Sequence, residues 1–304
     1  MRGSPNRDTV RLKFHCRRME SPLSQRPTTD RPRRLAIPRS RRLVIDLLRL
    51  SKQVPTTPHD RIVDLSVVVA ARERAAERIS WSILFSKAFA IVAAKYSPLR
   101  QIYMPWPWPH LYQHPSSDAT IVTHREVDGA PWIFWSRLRA PDQTSLVPLQ
   151  RYLERCQTEP VQAIFKRQWL FSAFPSWFRR IAWWLTLNGS GQTRVRRVGT
   201  FFLTTIGSRG AEISHPPGFL TSGLTFGPID AQGRSRVTLA YDHRLLDGRM
   251  VADILADLEA TLNGAIVQEL ASLATPISVV SGSECGPASP TPGTRVSAKS
   301  AHAN

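Results

Sequence analysis

The sequence predicts an α/β domain in which helices flank a sheet. Three observations carry that prediction. Val237-Thr238-Leu239-Ala240 reads as a buried strand that passes through the turn 241–248 into residues 250–260, whose apolar positions recur at helical spacing. Segments 119–126 and 132–138 read as strands of a hairpin around the Asp-Gly turn Val127-Asp128-Gly129-Ala130. Residues 80–96 read as a helix carrying Leu84, Phe85, Ala88, Ile91, Val92 and Ala94, and residues 146–157 as an amphipathic helix.

In order, residues 1–40 are rich in Arg, Pro and Ser without hydrophobic periodicity, which predicts disorder. Their acid-poor character also suits an organelle transit peptide, and Met19 stands as an alternative start. Residues 41–50 are expected to form a helix with Leu43, Ile45, Leu47, Leu48 and Leu50 available for burial. A strand over 61–69, a short charged helix over 70–78 and a helix capped by Ser80 follow. Pro and Trp alternate through Met104-Pro105-Trp106-Pro107-Trp108-Pro109 within 101–115, so that stretch is expected to be extended. Strands over 198–206, 220–226 and 235–240 complete the sheet, and 273–304, rich in Ser, Pro, Gly and Ala, reads as a disordered tail.

Composition excludes some functions. No run of eighteen apolar residues appears, so no spanning helix is expected. Cys16, Cys156 and Cys285 show no metal or disulfide spacing and fit a reducing, cytoplasmic compartment. The net charge is +18, but residues 1–42 hold +10 and residues 161–200 hold +7, which leaves +1 elsewhere. The scaffold is thus nearly neutral, and no specific nucleic-acid partner is expected.

His243 ends the last strand, where catalytic groups tend to lie. Its ordinary pKa lies near neutrality, so it can take a proton from a thiol or hydroxyl and return it. A single turn histidine is more often incidental, but the whole string is specific. Asp242-His243-Arg244-Leu245-Leu246-Asp247-Gly248 resembles the motif of the chloramphenicol acetyltransferase-like superfamily. Asp242 and Arg244 make it most similar to the acyltransferase catalytic domain of 2-oxoacid dehydrogenase complexes; peptide condensation domains would carry a second His at position 242. Gly199-Thr200-Phe201-Phe202-Leu203-Thr204-Thr205-Ile206-Gly207 resembles that family's Gly-Thr-Phe-Thr-Ile-Ser-Asn-Leu-Gly strand. His215-Pro216-Pro217-Gly218 resembles its Asn-Pro-Pro-Gln turn, and Ser51-Lys52-Gln53-Val54-Pro55 with Pro58-His59 resembles the stretch after its first helix. The match runs from about 41 to 264, within an expected catalytic domain of 41–272.

The resemblance implies a chloramphenicol acetyltransferase-like fold, an α+β sandwich with a mixed sheet flanked by helices. It implies His243 as general base and Thr204, where the family has Ser, as oxyanion donor; Thr205 is a second candidate. Asp247 would organise the site or assist catalysis, with Arg42 or Arg49 as its partner, and Gly248 allows a tight turn. The family forms trimers in which the His of one subunit faces the hydroxyl of the next. Coenzyme A, as the acyl thioester, would be a substrate, with no metal. Neither a lipoyl domain nor its Asp-Lys-Ala hairpin is visible, so a stand-alone acyltransferase is expected. An inactive trimeric scaffold and a complex subunit served by a separate lipoyl protein stay open as alternatives.

Residues 162–198 depart most from the family. Aromatic residues alternate there with arginines, and Pro175 interrupts any single helix. Three readings stand: an aromatic face packed on the domain or a neighbouring subunit, a peripheral membrane contact, or a lid over an acyl chain.

Overall fold

A computed structural model describes residues 34–273, so the expected disordered segments 1–40 and 273–304 lie almost wholly outside the described residues. The chain divides after Ile37, and the unit that begins at Pro38 is the subject below. It opens with helix α1 (Arg39–Ser51), strand β1 (Thr56–Asp64) and helices α2 (Ser66–Arg74) and α3 (Trp81–Lys95). Strands β2 (Gln101–Met104), β3 (His110–Gln113), β4 (Asp118–Val127) and β5 (Ala130–Arg139) follow. Five helices come next: α4 (Leu146–Thr158), α5 (Val161–Ile164), α6 (Lys166–Ala173), α7 (Ser176–Asn188) and α8 (Gly191–Val198). The chain then returns through β6 (Phe201–Thr204), β7 (Ser222–Phe226), β8 (Arg234–Asp242), α9 (Gly248–Thr261) and α10 (Val267–Ser272).

Six strands form one sheet in the order β1-β8-β7-β6-β4-β5. β6 runs parallel to β4 and β7, and the other pairs are antiparallel, so the sheet is mixed. β2 and β3 form a separate hairpin that carries the Pro-Trp stretch at its tip. The β4–β5 turn is as predicted: Asp128 and Gly129 have φ of 53° and 70°, the mirror-image turn that two-residue hairpins favour.

Alternation along the strands gives the sheet two faces. Phe201, Leu203, Leu224, Val237, Leu239 and Tyr241 point to one face, where α3 and α9 cover them in the main core. Phe85 stacks on Phe226 at 4.3 Å and Phe89 meets Phe201 edge-on at 4.7 Å. Thr120, Trp135, Phe202 and Thr204 point to the other face, toward α1 and α6–α8. Of the α1 residues available for burial, Ile45 and Leu48 are exposed.

Gly199 makes the join between α8 and β6. Its φ is +82°, and a Cβ there would lie 2.7 Å from Thr120 Oγ1. Only glycine fits both the backbone and the space.

Two expectations fail between 56 and 80. The strand begins at Thr56 and stops at Asp64, and residues 66–74 are helical. The β-branched run Val67-Val68-Val69 favours a strand locally, but Leu65, Val68 and Ala71 are buried at helical spacing. Asp64 starts that helix by accepting the Ser66 amide at 2.9 Å. The helix closes at Arg74 because Ala75 turns extended and the Ala76 amide bonds Leu273 O. Ser80 holds the N-cap position of α3, but its hydroxyl makes no capping bond; its amide instead donates to Gln150 Oε1.

Candidate active site

The motif turn is held from within. The Asp242 amide donates to Thr221 O, and Leu245 and Leu246 donate back to Asp242 O. The Asp242 carboxylate is 3% exposed and receives three bonds from one residue: Arg244 N at 3.0 Å, Nε at 2.8 Å and Nη2 at 2.6 Å. That bonding raises Arg244 above its ordinary pKa. The guanidinium also lies 4.3 Å from the Tyr103 ring centroid, which ties the turn to β2. Asp242 and Arg244 are therefore structural partners, and between them His243 projects as an exposed side chain. Its amide is fixed by Pro55 O at 3.2 Å, in the stretch after the first helix that the sequence singles out.

Asp247 caps α9: its Oδ1 accepts the Met250 amide at 2.9 Å, and its charge sits at the positive end of the helix. The expected arginine partner is not found. Arg42 donates to Ser172 O and Ala173 O at the end of α6, and Arg49 makes no side-chain bond among the described residues. The reason is that α6 packs on α1 and its open carbonyls take up the guanidinium.

Gly248 starts α9 under a pair of rings that sequence reasoning missed as site residues. A Cβ on Gly248 would stand 3.3 Å from His59 Nε2 and 3.9 Å from the Tyr241 hydroxyl. The Tyr241 ring lies 5.5 Å from the His59 ring and 5.5 Å from the His243 ring, so it neighbours both histidines. His59 Nδ1 and the Tyr241 hydroxyl are buried without a protein partner. Burial raises the Tyr241 pKa, and the nearby Asp247 charge adds to the effect. Pro58-His59 was the available signal. Arg194 was also missed; it donates to Phe219 O at 2.8 Å, and burial, aided by the like charge of Arg244, pushes it down to about 10.

Thr204 ends β6, half-buried, with its side chain on the outer sheet face. Thr205 is engaged otherwise: its hydroxyl donates to Phe226 O at 2.8 Å and accepts the Gly207 amide at 3.1 Å. It holds the turn after β6, and its proton is not free for an oxyanion.

The register separates Thr204 from His243. Thr204 pairs with Thr225, which pairs with Thr238 of β8. His243 lies five residues past Thr238, in the turn just beyond β8, at the opposite end of the sheet. Five residues of strand and two strand spacings amount to roughly 20 Å. Within one protomer the two groups do not meet.

Beneath α1 and α6–α8 the outer sheet face bounds a cavity of about 990 Å³. Phe202, Trp135 and Trp183 line it, and Thr204 stands on its wall. Among the described residues, no group of three His, Cys, Asp or Glu side chains is placed to hold a metal.

No protein-family model and no curated protein matches the sequence. Solved structures do match. A dihydrolipoamide acetyltransferase of Azotobacter vinelandii superposes with a TM-score of 0.58 at 15% identity, over 81% of this chain and all (100%) of that one. A probable dihydrolipoamide acetyltransferase of Listeria monocytogenes gives 0.56 at 16% identity, over 76% of this chain and 94% of that one. A truncated catalytic core of the 2-oxoacid dehydrogenase complex of Thermoplasma acidophilum gives 0.54 at 18% identity, over 77% and 99%. The chain therefore has the fold of the acyltransferase catalytic cores of 2-oxoacid dehydrogenase complexes, the chloramphenicol acetyltransferase-like fold that its motifs imply.

Proposed function

We propose that the protein is an acyltransferase that moves an acyl group between a coenzyme A thioester and a thiol, hydroxyl or amine acceptor. The observation that carries this reading is positional. On the fold of known acyltransferase cores, a turn histidine stands at the end of β8 and a hydroxyl at the end of β6.

His243 takes the proton of the acceptor as that atom attacks the thioester carbonyl. The carbonyl oxygen becomes an oxyanion, which the Thr204 hydroxyl stabilises by donating a hydrogen bond. Collapse breaks the carbon–sulfur bond, and the leaving thiolate takes the proton back from His243. Because the two groups lie at opposite ends of the sheet, they act together only between subunits, in the trimer the motifs imply. Asp247 positions His243 by fixing the start of α9, and Asp242 with Arg244 holds the turn.

A lipid surface is the second element of the reading. Trp177, Phe178, Ile181, Trp184 and Leu185 form an exposed apolar stripe on α7, with Trp177 63% exposed. Trp106 extends it by meeting Trp184 edge-on at 5.8 Å. Residues 161–200 carry no acid; Arg179 and Arg194 are buried, and the exposed Lys166, Arg167, Arg180, Arg196 and Arg197 complement anionic lipid headgroups. No described helix is long and apolar enough to cross a membrane, so the contact is peripheral. Trp177→Ser with Ile181→Ser should abolish sedimentation with phosphatidylserine vesicles; unchanged sedimentation would assign the stripe to a protein neighbour.

Free-thiol release from a panel of acyl-coenzyme A thioesters, with candidate acceptors, tests the activity. Release that disappears in His243→Ala supports the reading. A folded oligomer with no release from any pair would favour an inactive scaffold.

A further inference from the structure

The cavity on the outer sheet face has a second chemistry at its edge. A cleft of about 340 Å³ adjoins it, lined by Thr193 and five arginines: Arg137, Arg139, Arg167, Arg196 and Arg197. Arg137, Arg167, Arg196 and Arg197 also line the apolar cavity, so the two spaces are continuous.

The register orients them. Arg137, Thr120 and Phe202 form one row across β5, β4 and β6, and Trp135, Val122 and Thr204 form the next. The arginine end thus lies one to two side-chain rows from Thr204, roughly 7–14 Å along the strands.

Like charges are costly to gather without an anion. None of the five arginines forms an ion pair among the described residues. Asp118 lies near Arg137, but its Oδ1 already accepts the Ala140 amide. Burial holds Arg137 below its ordinary pKa, and the charges of Arg139 and Arg196 push the same way against Asp118. Two of the guanidiniums are held in place: Arg197 Nη1 donates to Thr186 Oγ1 at 2.8 Å and Arg137 Nη1 to Val195 O at 3.3 Å. A solvated arginine face needs neither that anchoring nor an apolar cavity behind it. Planar guanidiniums arranged as a group match a phosphate, which accepts paired bonds.

We propose that this composite space binds a single-chain anionic amphiphile, with a phosphate-class head in the arginine cleft and its apolar chain in the cavity beneath α7. The chain passes Thr204 on the cavity wall, which sets the ligand beside the hydroxyl of the reaction proposed above. A volume of about 990 Å³ is at the upper end of ligand sites, which span about 300–1,000 Å³. The inference rests on the acyl-transfer reading only for the role of Thr204. Binding is measured without turnover, so either can fail alone.

The test is a calorimetric titration of the full-length protein with dodecyl phosphate below its critical micelle concentration. Ethyl phosphate and dodecyltrimethylammonium serve as the head-only and wrong-charge probes. Dodecyl phosphate should bind at least about tenfold more tightly than either. Arg139→Gln with Arg196→Gln, both exposed positions, should remove about tenfold of that affinity. Ala182→Phe, which fills the cavity from α7, should weaken dodecyl phosphate and leave ethyl phosphate unchanged. Thermal unfolding of each variant checks its fold. Equal affinity for the two dodecyl probes, or a chain dependence that survives Ala182→Phe in a folded protein, would overturn the proposal.

Discussion

Asp46 of α1 and Arg179 of α7 form a two-point ion pair, with Nε to Oδ2 at 2.7 Å and Nη2 to Oδ1 at 3.2 Å. Asp46 is 8% exposed and Arg179 4%. Arg179 also donates to Phe174 O at 2.7 Å, so one side chain fastens the roof of the cavity to the first helix. Breaking such a pair leaves a buried charge alone. Arg179→Met should cost about 3–5 kcal/mol in urea unfolding, and adding Asp46→Leu should restore most of it. Loss of less than about 1 kcal/mol in the single variant would mean that the pair is open to water.

Asp247 has a structural duty that can be separated from chemistry. Asp247→Ala removes the α9 cap and should cost about 1 kcal/mol, whereas Asn caps as well as Asp and should preserve stability. If the charge also acts in the reaction, Asp247→Asn will lower kcat at unchanged melting temperature. If kcat follows stability through both variants, Asp247 is a cap and nothing more.

Phe202 fits between two glycines on the cavity floor. A Cβ added at Gly218 or Gly223 would fall 2.1 Å from its ring atoms. Gly223→Ala should therefore destabilise by about 1–3 kcal/mol through overpacking. Phe202→Leu in the same chain should relieve part of that loss; a further fall in stability would show that the ring has room to move.

Local chemistry made part of this molecule legible and hid the rest. The Asp128-Gly129 hairpin could be read because a two-residue loop with positive φ demands those residue types. Pro175 marked the break between α6 and α7 because its ring ends a helix. Residues 66–74 were misread because the outcome depended on α10, nearly two hundred residues away, which packs on α2, where Val68 is buried. The candidate base and hydroxyl were readable as motif positions. Their placement at opposite ends of the sheet followed only from the pairing of β6, β7 and β8. The arginine cleft was invisible for the same reason, since it joins β5 to α6 and α8.

In the proposed reaction His243 of one subunit works with Thr204 of another. The most direct measurement is complementation. His243→Ala and Thr204→Val are purified alone and as a co-expressed, doubly tagged mixture, and acyl transfer is assayed for each. Each variant alone should fall by about 10²–10³-fold or more. Random trimers drawn from equal amounts of both should regain about a quarter of the wild-type sites, and mixed trimers selected by both tags about a third, because each interface draws one group from each neighbour. No recovery in verified mixed oligomers would rule out a shared site, as would full activity in either variant alone.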